Sequence, residues 1–161
     1  CSETGVEMAN INTDDQIVIS GDKIAVARAM DLASARGAKK TIPLPVSGAF
    51  HSSLMMEAEA GLADAVQSLH FNEPKMPVVG NCNSKSLTTA VEIRHELVNV
   101  LCQCVLWKAS VRHIVDSGVT QFVEFGSGGV LAGLIKRIDR GVKVSTVSDT
   151  ASMRKLAGVE A

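Results

Sequence analysis

The sequence predicts an α/β fold with a largely parallel sheet, preceded by a small α+β unit. Short apolar runs that suit strands alternate with longer runs of helical periodicity, and this alternation is typical of α/β proteins. No internal repeat or low-complexity segment interrupts the pattern. The 161 residues are 46% hydrophobic and 20% charged, which favours a folded protein over a disordered chain.

Composition and charge indicate which kinds of partner the chain is not suited to bind. The net charge of -1 gives no support for binding nucleic acid through bulk electrostatics. No apolar run reaches the roughly 18 residues that a membrane span needs, and no basic-plus-apolar leader is present. We therefore expect no nucleic-acid partner, no membrane span, and a cytoplasmic location, or an organelle matrix in a eukaryote. The chain starts at Cys1 without a methionine, so we expect a fragment or a processed product.

Residues 1–46 predict the order strand, strand, helix, strand. Apolar and polar residues alternate over 6–10 and 16–20 around an Asn/Asp-rich turn, which predicts a hairpin. A helix follows and is expected to end at Gly37. Residues 41–46 resemble an edge strand, because their two prolines would remove ladder donors. Such an order fits a small antiparallel α+β subdomain that has lost its beginning.

Residues 47–161 predict the α/β part of the chain, in which strands alternate with helices. The expected elements, in order, are a helix over 52–69, a short buried strand at 78–79, a helix from 89 through 104, a helix from Trp107, a strand over 121–125, a helix after the glycine-rich turn 126–129, a strand over 142–147 and a last helix over 149–158. Thr89 followed by Glu92 matches a capping box, so the start of its helix is well marked.

The four cysteines form no disulfide or zinc framework. Cys1, Cys82, Cys102 and Cys104 lack a Cys-x-x-Cys pair and a pair of histidines, which favours reduced, buried thiols. Cys102 and Cys104 are two apart in a helical pattern, so we expect them on different faces of that helix. The sequence predicts no metal site and no cofactor.

Two other motifs are near misses. The glycine-rich turn at 126–129 follows a strand, but Leu131 stands where a dinucleotide fingerprint needs its third glycine, so a close strand-to-helix turn is the preferred interpretation. His95 begins a pattern that resembles a zinc-protease helix, but Asn99 replaces the second histidine, which favours an exposed helix pair. Lys136 and Arg137 near the end of a helix either interact with its dipole or offer a patch to an acidic partner.

His51 is the candidate that carries chemistry. It is expected at a corner where residues 42–46 end and a helix begins. Histidine changes charge near neutral pH, so this ring is a candidate general base. The alternative is a packed or helix-capping ring beside Phe50. No Gly-x-Ser-x-Gly elbow occurs in the chain, and the residues alone leave both interpretations open.

Three stretches together resemble a known family. Residues 44–55 read Leu-Pro-Val-Ser-Gly-Ala-Phe-His-Ser-Ser-Leu-Met, and residues 122–138 read Phe-Val-Glu-Phe-Gly-Ser-Gly-Gly-Val-Leu-Ala-Gly-Leu-Ile-Lys-Arg-Ile. They are similar to the histidine motif and the C-terminal signature of malonyl-CoA:acyl carrier protein transacylases. Residues 10–21 resemble the hairpin of the same family. The three stretches run in the family's order, so the chain resembles its C-terminal part.

The resemblance implies a fold, a reaction and a division into parts. It implies a partial α/β-hydrolase-like large domain with a mostly parallel sheet at 47–161, and part of a ferredoxin-like insert at 1–46. It implies an acyltransferase of fatty acid biosynthesis that moves a malonyl group from coenzyme A to the phosphopantetheine thiol of acyl carrier protein by a Ser-His ping-pong mechanism. Acyl carrier protein and a coenzyme A thioester are the implied partners, with malonyl-CoA as substrate.

Residue roles follow from the same resemblance. His51 matches the general base, and its ring is expected to be oriented by the backbone carbonyl at the position of Val100. Phe50 matches a malonyl-selective form, and Asn12 and Val100 match substrate-binding positions. Ser127 stands where the family has proline, which indicates divergence. The serine elbow, the malonate-binding arginine and the oxyanion donors belong to the family's N-terminal half, so we expect the chain alone to be inactive.

Two alternatives remain open from the sequence. One is a fragment of the acyltransferase domain of a polyketide or fatty acid synthase. The other is a non-catalytic remnant that binds acyl carrier protein through Lys136 and Arg137. In each case half of an α/β sheet would leave an unpaired edge and an apolar face, so we expect an isolated chain that self-associates or needs a partner.

Overall fold

A computed structural model describes residues 1–158. The chain forms two compact units, the first spanning Cys1–Trp107 and the second beginning at Lys108. Helices and strands mix in both units, and the described strands form three two-stranded sheets. An α/β fold is therefore confirmed, while the predicted boundary between 1–46 and 47–161 stays a prediction. No helix of the described residues has the length and apolar character to cross a bilayer.

The predicted hairpin is present. β1 (Glu7–Thr13) pairs antiparallel with β2 (Gln16–Ser20), and the turn between them is shorter than expected because β1 runs on to Thr13. The Thr13 hydroxyl donates to a carboxylate oxygen of Asp15 over 2.7 Å and closes this turn. Ala9 is buried, so one side of β1 faces the interior of the first unit.

Helix α1 (Lys23–Ala35) follows the hairpin, as the sequence predicted. Asp22 precedes it, and its carboxylate accepts hydrogen bonds from the backbone N–H of Ile24 and Ala25 over 2.9 and 3.2 Å. Gly37 takes a φ of +92°, which permits the chain to leave the helix. No residue of α1 is buried. The helix thus owes its bounds to capping chemistry rather than to burial.

The predicted edge strand over 41–46 is wrong. These residues have no regular secondary structure, and Leu44 and Val46 are more than half exposed. Pro43 and Pro45 supply no N–H, so two of the three donors that residues 41, 43 and 45 would offer along one edge are missing. The N–H of Val46 donates instead to the carbonyl of Leu44, which forms a local turn in place of a ladder.

The elements between 52 and 99 position the candidate site. A short 3-10 helix (Ser53–Met55) leads into α2 (Met56–Ser68), and β3 (Val78–Val79) pairs antiparallel with β4 (Ser86–Leu87). The sequence did not predict β4, and Val78 is exposed rather than buried. Helix α3 (Ala90–Asn99) packs against α2 and begins at the predicted capping box, in which both hydrogen bonds are present.

Helix α3 ends five residues before the predicted limit. The N–H groups of Leu101 and Cys102 donate to carbonyls three residues back, which tightens the last turn and ends the helix after Asn99. The apolar pattern continues to Cys104, and for that reason the sequence overstated the helix. The early end leaves the carbonyls of Val100 and Leu101 available to other elements.

The second unit holds the one parallel pair of strands among the described residues. Its elements are α4 (Trp107–Asp116, which starts at the last residue of the first unit), β5 (Gln121–Phe125), α5 (Val130–Ile138), β6 (Lys143–Val147) and α6 (Thr150–Ala157), all close to their predicted bounds. β5 and β6 are parallel and β3 and β4 are antiparallel, so residues 47–158 hold one pair of each kind rather than the mostly parallel sheet that was predicted. Of the three strand pairs, β5 and β6 are joined by a helical crossover, which parallel pairing requires, whereas the other two pairs are joined by short connections.

Candidate active site

His51 has an uncommon backbone conformation. Its φ is +59°, in the left-handed region that residues with a Cβ seldom adopt. Such a conformation costs about 1–3 kcal/mol and persists only where surrounding contacts hold it. Here the His51 N–H donates to the carbonyl of Leu101 over 2.9 Å. The predicted corner is therefore real, and its histidine is fixed at the end of α3.

A second bond orients the ring. Nδ1 of His51 lies 2.6 Å from the carbonyl oxygen of Val100. A carbonyl only accepts, so this contact assigns the proton to Nδ1 and leaves a lone pair on Nε2. Within residues 1–107 the structure shows no hydrogen-bond partner for Nε2. The ring is thus set in the tautomer that can take up a proton through Nε2.

The two serines after His51 are held by the corner itself. Ser52 is fully buried, and its hydroxyl donates to the carbonyl of Ala49 over 2.6 Å. Ser53 donates twice to Oε1 of Glu7, from its N–H over 2.8 Å and from its hydroxyl over 2.6 Å. The Ser53 hydroxyl holds the pKa of Glu7 below its usual value, and the Ser53 N–H adds to the effect. Both hydroxyls are committed to structural bonds.

The His51 ring opens into a cleft of about 470 Å³ in the first unit. The cleft is lined by Glu7, Met8, His51, Cys82, Cys102, Gln103, Cys104 and Leu106. Glu7 and Met8 reach the cleft on β1. This strand is held beside the cleft because the N–H of Val105 donates to the carbonyl of Ala9, and the N–H of Ile11 donates to the carbonyl of Val105. A single imidazole in a cleft of mixed polarity is suited to proton transfer.

The cleft thiols are not activated. Burial raises the pKa of Cys82 to about 12, and the Glu96 carboxylate adds to the effect. Burial also raises the pKa of Cys102, with Glu59 contributing, and that of Cys104. These thiols are therefore protonated at neutral pH and are poor nucleophiles.

The cysteine predictions need two corrections. All four cysteines are free, but Cys1 is exposed and the other three are half-buried rather than buried. Cys102 and Cys104 line the same cleft and lie beyond the end of α3, so the expectation of opposite helix faces is wrong. No group of three or more His, Cys, Asp or Glu side chains among residues 1–158 could hold a metal ion.

The other sequence-predicted site residues lie outside the cleft lining. The Phe50 ring is 46% exposed and lies over Gly48, where an added Cβ would come within 2.8 Å of its Cε2. Asn12 is half-buried on β1. Val100 takes part through its backbone carbonyl. Their predicted roles in binding substrate stay predictions.

Sequence reasoning missed Glu7 and Gln103 as cleft residues. Glu7 reaches Ser53 across 46 positions of sequence, and Gln103 lies in the turn that was predicted as helix. Neither belongs to a recognisable motif, so a single sequence carries no signal that would have found them.

In both near-miss motifs, the glycine-rich turn and the His95-Glu96 helix, a glutamate carboxylate bonds to backbone N–H groups. In the second unit, the carboxylate of Glu124 accepts hydrogen bonds from the N–H groups of Leu131 and Ala132 over 3.1 and 2.9 Å, at the N-terminus of α5 where a phosphate would bind. In the first unit, Glu96 accepts from the N–H groups of Asn81 and Cys82. The Glu124 contacts support a close strand-to-helix turn at 126–129. The exposed helix pair is wrong for Glu96, which is half-buried and bonded to the backbone, while His95 is exposed.

The basic end of α5 is likewise engaged. Lys136 Nζ donates to the carbonyl of Val142, and Arg112 donates to the carbonyl of Ile138 and to Asp139 over 3.0 Å. Lys136 therefore bonds to the residue before β6, and the last carbonyl of α5 is bonded by Arg112 instead. The dipole interpretation of Lys136 and Arg137 stays a prediction.

Comparison with known proteins finds relatives that are similar to most of this chain. No family model matches the sequence. The chain is 39% identical over 144 residues to the malonyl CoA-acyl carrier protein transacylase of Bacillus subtilis, and 39% identical over 142 residues to that of Staphylococcus aureus. The chain is homologous to malonyl CoA-acyl carrier protein transacylases. The alignments cover 89% and 88% of the chain but 45% and 46% of these transacylases, so the chain spans about half of their length.

Solved structures of transacylases are also similar to this chain. An acyl carrier protein S-malonyltransferase from Vibrio cholerae superposes with a TM-score of 0.92 at 37% identity. The superposition covers 97% of this chain and 52% of the Vibrio cholerae chain. A malonyl-transacylase solved with a type II polyketide acyl carrier protein has a TM-score of 0.89 at 42% identity, covering 95% and 50%. Transacylase structures of this kind share the α/β fold found here.

Proposed function

We propose that this chain supplies the histidine half of a transacylase that moves a malonyl group from coenzyme A to the phosphopantetheine thiol of acyl carrier protein, in fatty acid biosynthesis and in the cytoplasm. The observation that carries the proposal is the orientation of His51, whose Nδ1 is bound by the Val100 carbonyl while Nε2 remains available. Homology to transacylases supplies the reaction.

In this proposal His51 acts as base and then as acid. Nε2 takes the proton of a serine hydroxyl as that oxygen attacks the malonyl thioester, and it returns the proton to the departing thiolate of coenzyme A. In the second half-reaction Nε2 takes the proton of the phosphopantetheine thiol, whose sulfur attacks the malonyl-serine ester. The proton then goes to the serine oxygen. The partially negative end of α3 favours the imidazolium formed in each half.

The serine has to come from chain outside these 161 residues. No Gly-x-Ser-x-Gly elbow occurs in them, and both serines beside His51 are bonded elsewhere. The malonate-binding arginine and the oxyanion donors would come from the same missing part. We therefore propose that the chain alone does not transfer malonyl groups.

The finer fold assignment belongs to the same proposal. We assign residues 47–161 to the C-terminal part of an α/β-hydrolase-like large domain and residues 1–46 to part of a ferredoxin-like subdomain. The order β1, β2, α1 and the antiparallel hairpin support the second assignment. High TM-scores over nearly the whole chain support the first.

Phe50 is proposed to favour malonyl over a substrate with an extra methyl group. A bulky ring can discriminate such a group by about 1–3 kcal/mol, so the selectivity is a preference. The ring stands immediately before His51 and is 46% exposed, which leaves it free to face a substrate. Asn12 and Val100 are retained as proposed substrate-binding positions.

A polyketide context is the second candidate. The transacylase bound to a type II polyketide acyl carrier protein is 42% identical to this chain, and this match supports an acyl carrier protein as partner in either pathway. A domain fragment of a larger synthase and a non-catalytic carrier-binding remnant are the remaining alternatives. The hydrogen bond from Lys136 to the carbonyl of Val142 counts against the non-catalytic remnant, because that hypothesis needs Lys136 to bind acyl carrier protein.

Reconstitution tests the function. The N-terminal part of the Bacillus subtilis transacylase, fused before Cys1, is expected to give a chain that transfers malonyl from malonyl-CoA to acyl carrier protein. His51→Ala should lower kcat by about 10²–10⁴-fold. His70→Ala is the matched control, because His70 is exposed and its ring hydrogen-bonds to the nearby Asn72, away from His51. Full transfer by the His51 variant, or by the unfused chain, would contradict the proposal.

A further inference from the structure

The left-handed backbone of His51 needs support on both sides. On one side the carbonyls of Val100 and Leu101 accept from its ring and its N–H. On the other side the chain enters the 3-10 helix Ser53–Met55, whose first N–H groups have no partner within the helix. The residue that satisfies this end therefore determines how firmly the corner is held.

Ser52 stands at the N-cap position of this helix and does not cap it. Its hydroxyl donates backwards to the Ala49 carbonyl, and the helix has no side-chain cap from its own N-cap residue. The acceptor comes from another element. Glu7, at the start of β1, receives both the N–H and the hydroxyl of Ser53 on one carboxylate oxygen.

We propose that Glu7 is a positioning residue for His51. Its carboxylate binds the residue two positions after His51, and the carbonyls at the end of α3 bind His51 itself, so the corner is held between β1 and α3. Bonds to a charged acceptor are short and strong. A pKa below its usual value keeps Glu7 ionised at neutral pH. Glu7 also lines the cleft into which the His51 ring opens, so the support lies beside the reacting atoms.

Loss of the Glu7 carboxylate leaves the Ser53 N–H without its acceptor. The left-handed conformation of His51 then loses one of its two supports and relaxes toward commoner backbone angles. Such a change moves the ring away from the Val100 carbonyl and releases the Nδ1 proton to solvent. This inference rests on the proposed function for its catalytic meaning, but its structural consequence can be measured in the chain itself.

The test is the ¹⁵N NMR spectrum of the His51 ring in the 161-residue chain at neutral pH. The unsubstituted chain is expected to show a protonated, exchange-protected Nδ1. Glu7→Ala should lose that protected signal, and Glu7→Gln should keep it, because an amide oxygen still accepts from Ser53. Glu3→Ala is the matched control, since Glu3 is exposed and bonds to Arg36. A protected Nδ1 signal retained in folded Glu7→Ala overturns the proposal, because a merely structural glutamate would change stability without changing the ring.

Ser53→Ala decides the matter if Glu7→Ala does not fold. It removes the hydroxyl donor and keeps the N–H, so Nδ1–H exchange should be faster than in the unsubstituted chain; unchanged exchange overturns the proposal. In the reconstituted enzyme, Glu7→Ala should lower kcat by up to about a hundredfold with KM unchanged. Failure of that enzyme to transfer malonyl at all would count against the proposed function and leave the NMR result standing.

Discussion

The imidazole of His51 is oriented by the backbone of Val100, with 2.6 Å between Nδ1 and the carbonyl oxygen. The side chain of residue 100 makes no part of this contact. We therefore expect Val100→Ala and Val100→Gln to keep the Nδ1-protonated tautomer of His51. The ¹⁵N spectrum of the ring checks this outcome, and His51→Ala identifies the signal. A change of tautomer in either variant would show that the side chain matters.

Acid should loosen the start of α3, the helix whose end holds His51. The Thr88 N–H, followed by the Thr89 side chain, keeps the pKa of Glu92 below its usual 4.5. A carboxylate with a depressed pKa in the folded state stabilises it fully above the unfolded value, and this stabilisation is lost as pH falls through the folded value. We expect amide exchange of Thr88 and Thr89, relative to distant amides, to speed up only below about pH 4.5.

Glu92→Gln is the matched control for this effect. Its amide oxygen accepts the same bonds without titrating, so exchange at Thr88 and Thr89 should lose its dependence on acid. The same dependence in the Gln variant would assign the effect to another group.

Thiol reagents should discriminate among the cysteines. With a pKa of about 12, Cys82 has a thiolate fraction of about one in ten thousand at pH 8. The exposed Cys1 lacks such burial. Mass spectrometry after brief alkylation at pH 8 should find Cys1 modified first and Cys82 slowly. In denaturant all four should react at similar rates, and equal rates in the folded chain would contradict the prediction.

The isolated chain should self-associate. Ile42, Leu44 and Val46 are each more than half exposed on a segment without secondary structure, and Phe125 is 66% exposed on β5. Parallel sheets are normally covered on both faces, so a two-stranded parallel pair with exposed apolar residues favours association. Sedimentation should show concentration-dependent oligomers, fewer of them after Ile42→Ser and Leu44→Ser. A sharp thermal transition of a monomer would contradict this.

Local chemistry made much of the fold predictable. The Asp22 cap, the Thr89 capping box and the hairpin turn each depend on residues within four positions of one another, and such signals can be recognised in one sequence. The predictions failed where a periodic pattern of apolar residues indicated a strand or helix that the backbone hydrogen bonds did not form. Alternating apolar residues at 42–46 outweighed the two prolines, and an apolar run past Asn99 hid the tightening of the last turn.

The candidate site was predictable only in part. His51 stood out through its neighbours and through a resemblance, and the carbonyl at position 100 followed from that resemblance. The contact of Glu7 with Ser53 joins distant elements, so no spacing in the sequence reveals it.

The carboxylate of Glu124 binds the N–H groups that follow the glycine-rich turn, where a dissolved anion would otherwise bind. Because it already fills the donors at the start of α5, a dissolved phosphate or sulfate would have to compete with a tethered group at very high effective concentration. A chain with alanine at this position would lose the competitor and leave two N–H groups facing water. In the present chain, Glu124 on β5 therefore occupies two of the N–H groups that an anion would need, and the glycines of the turn permit its positive φ angles.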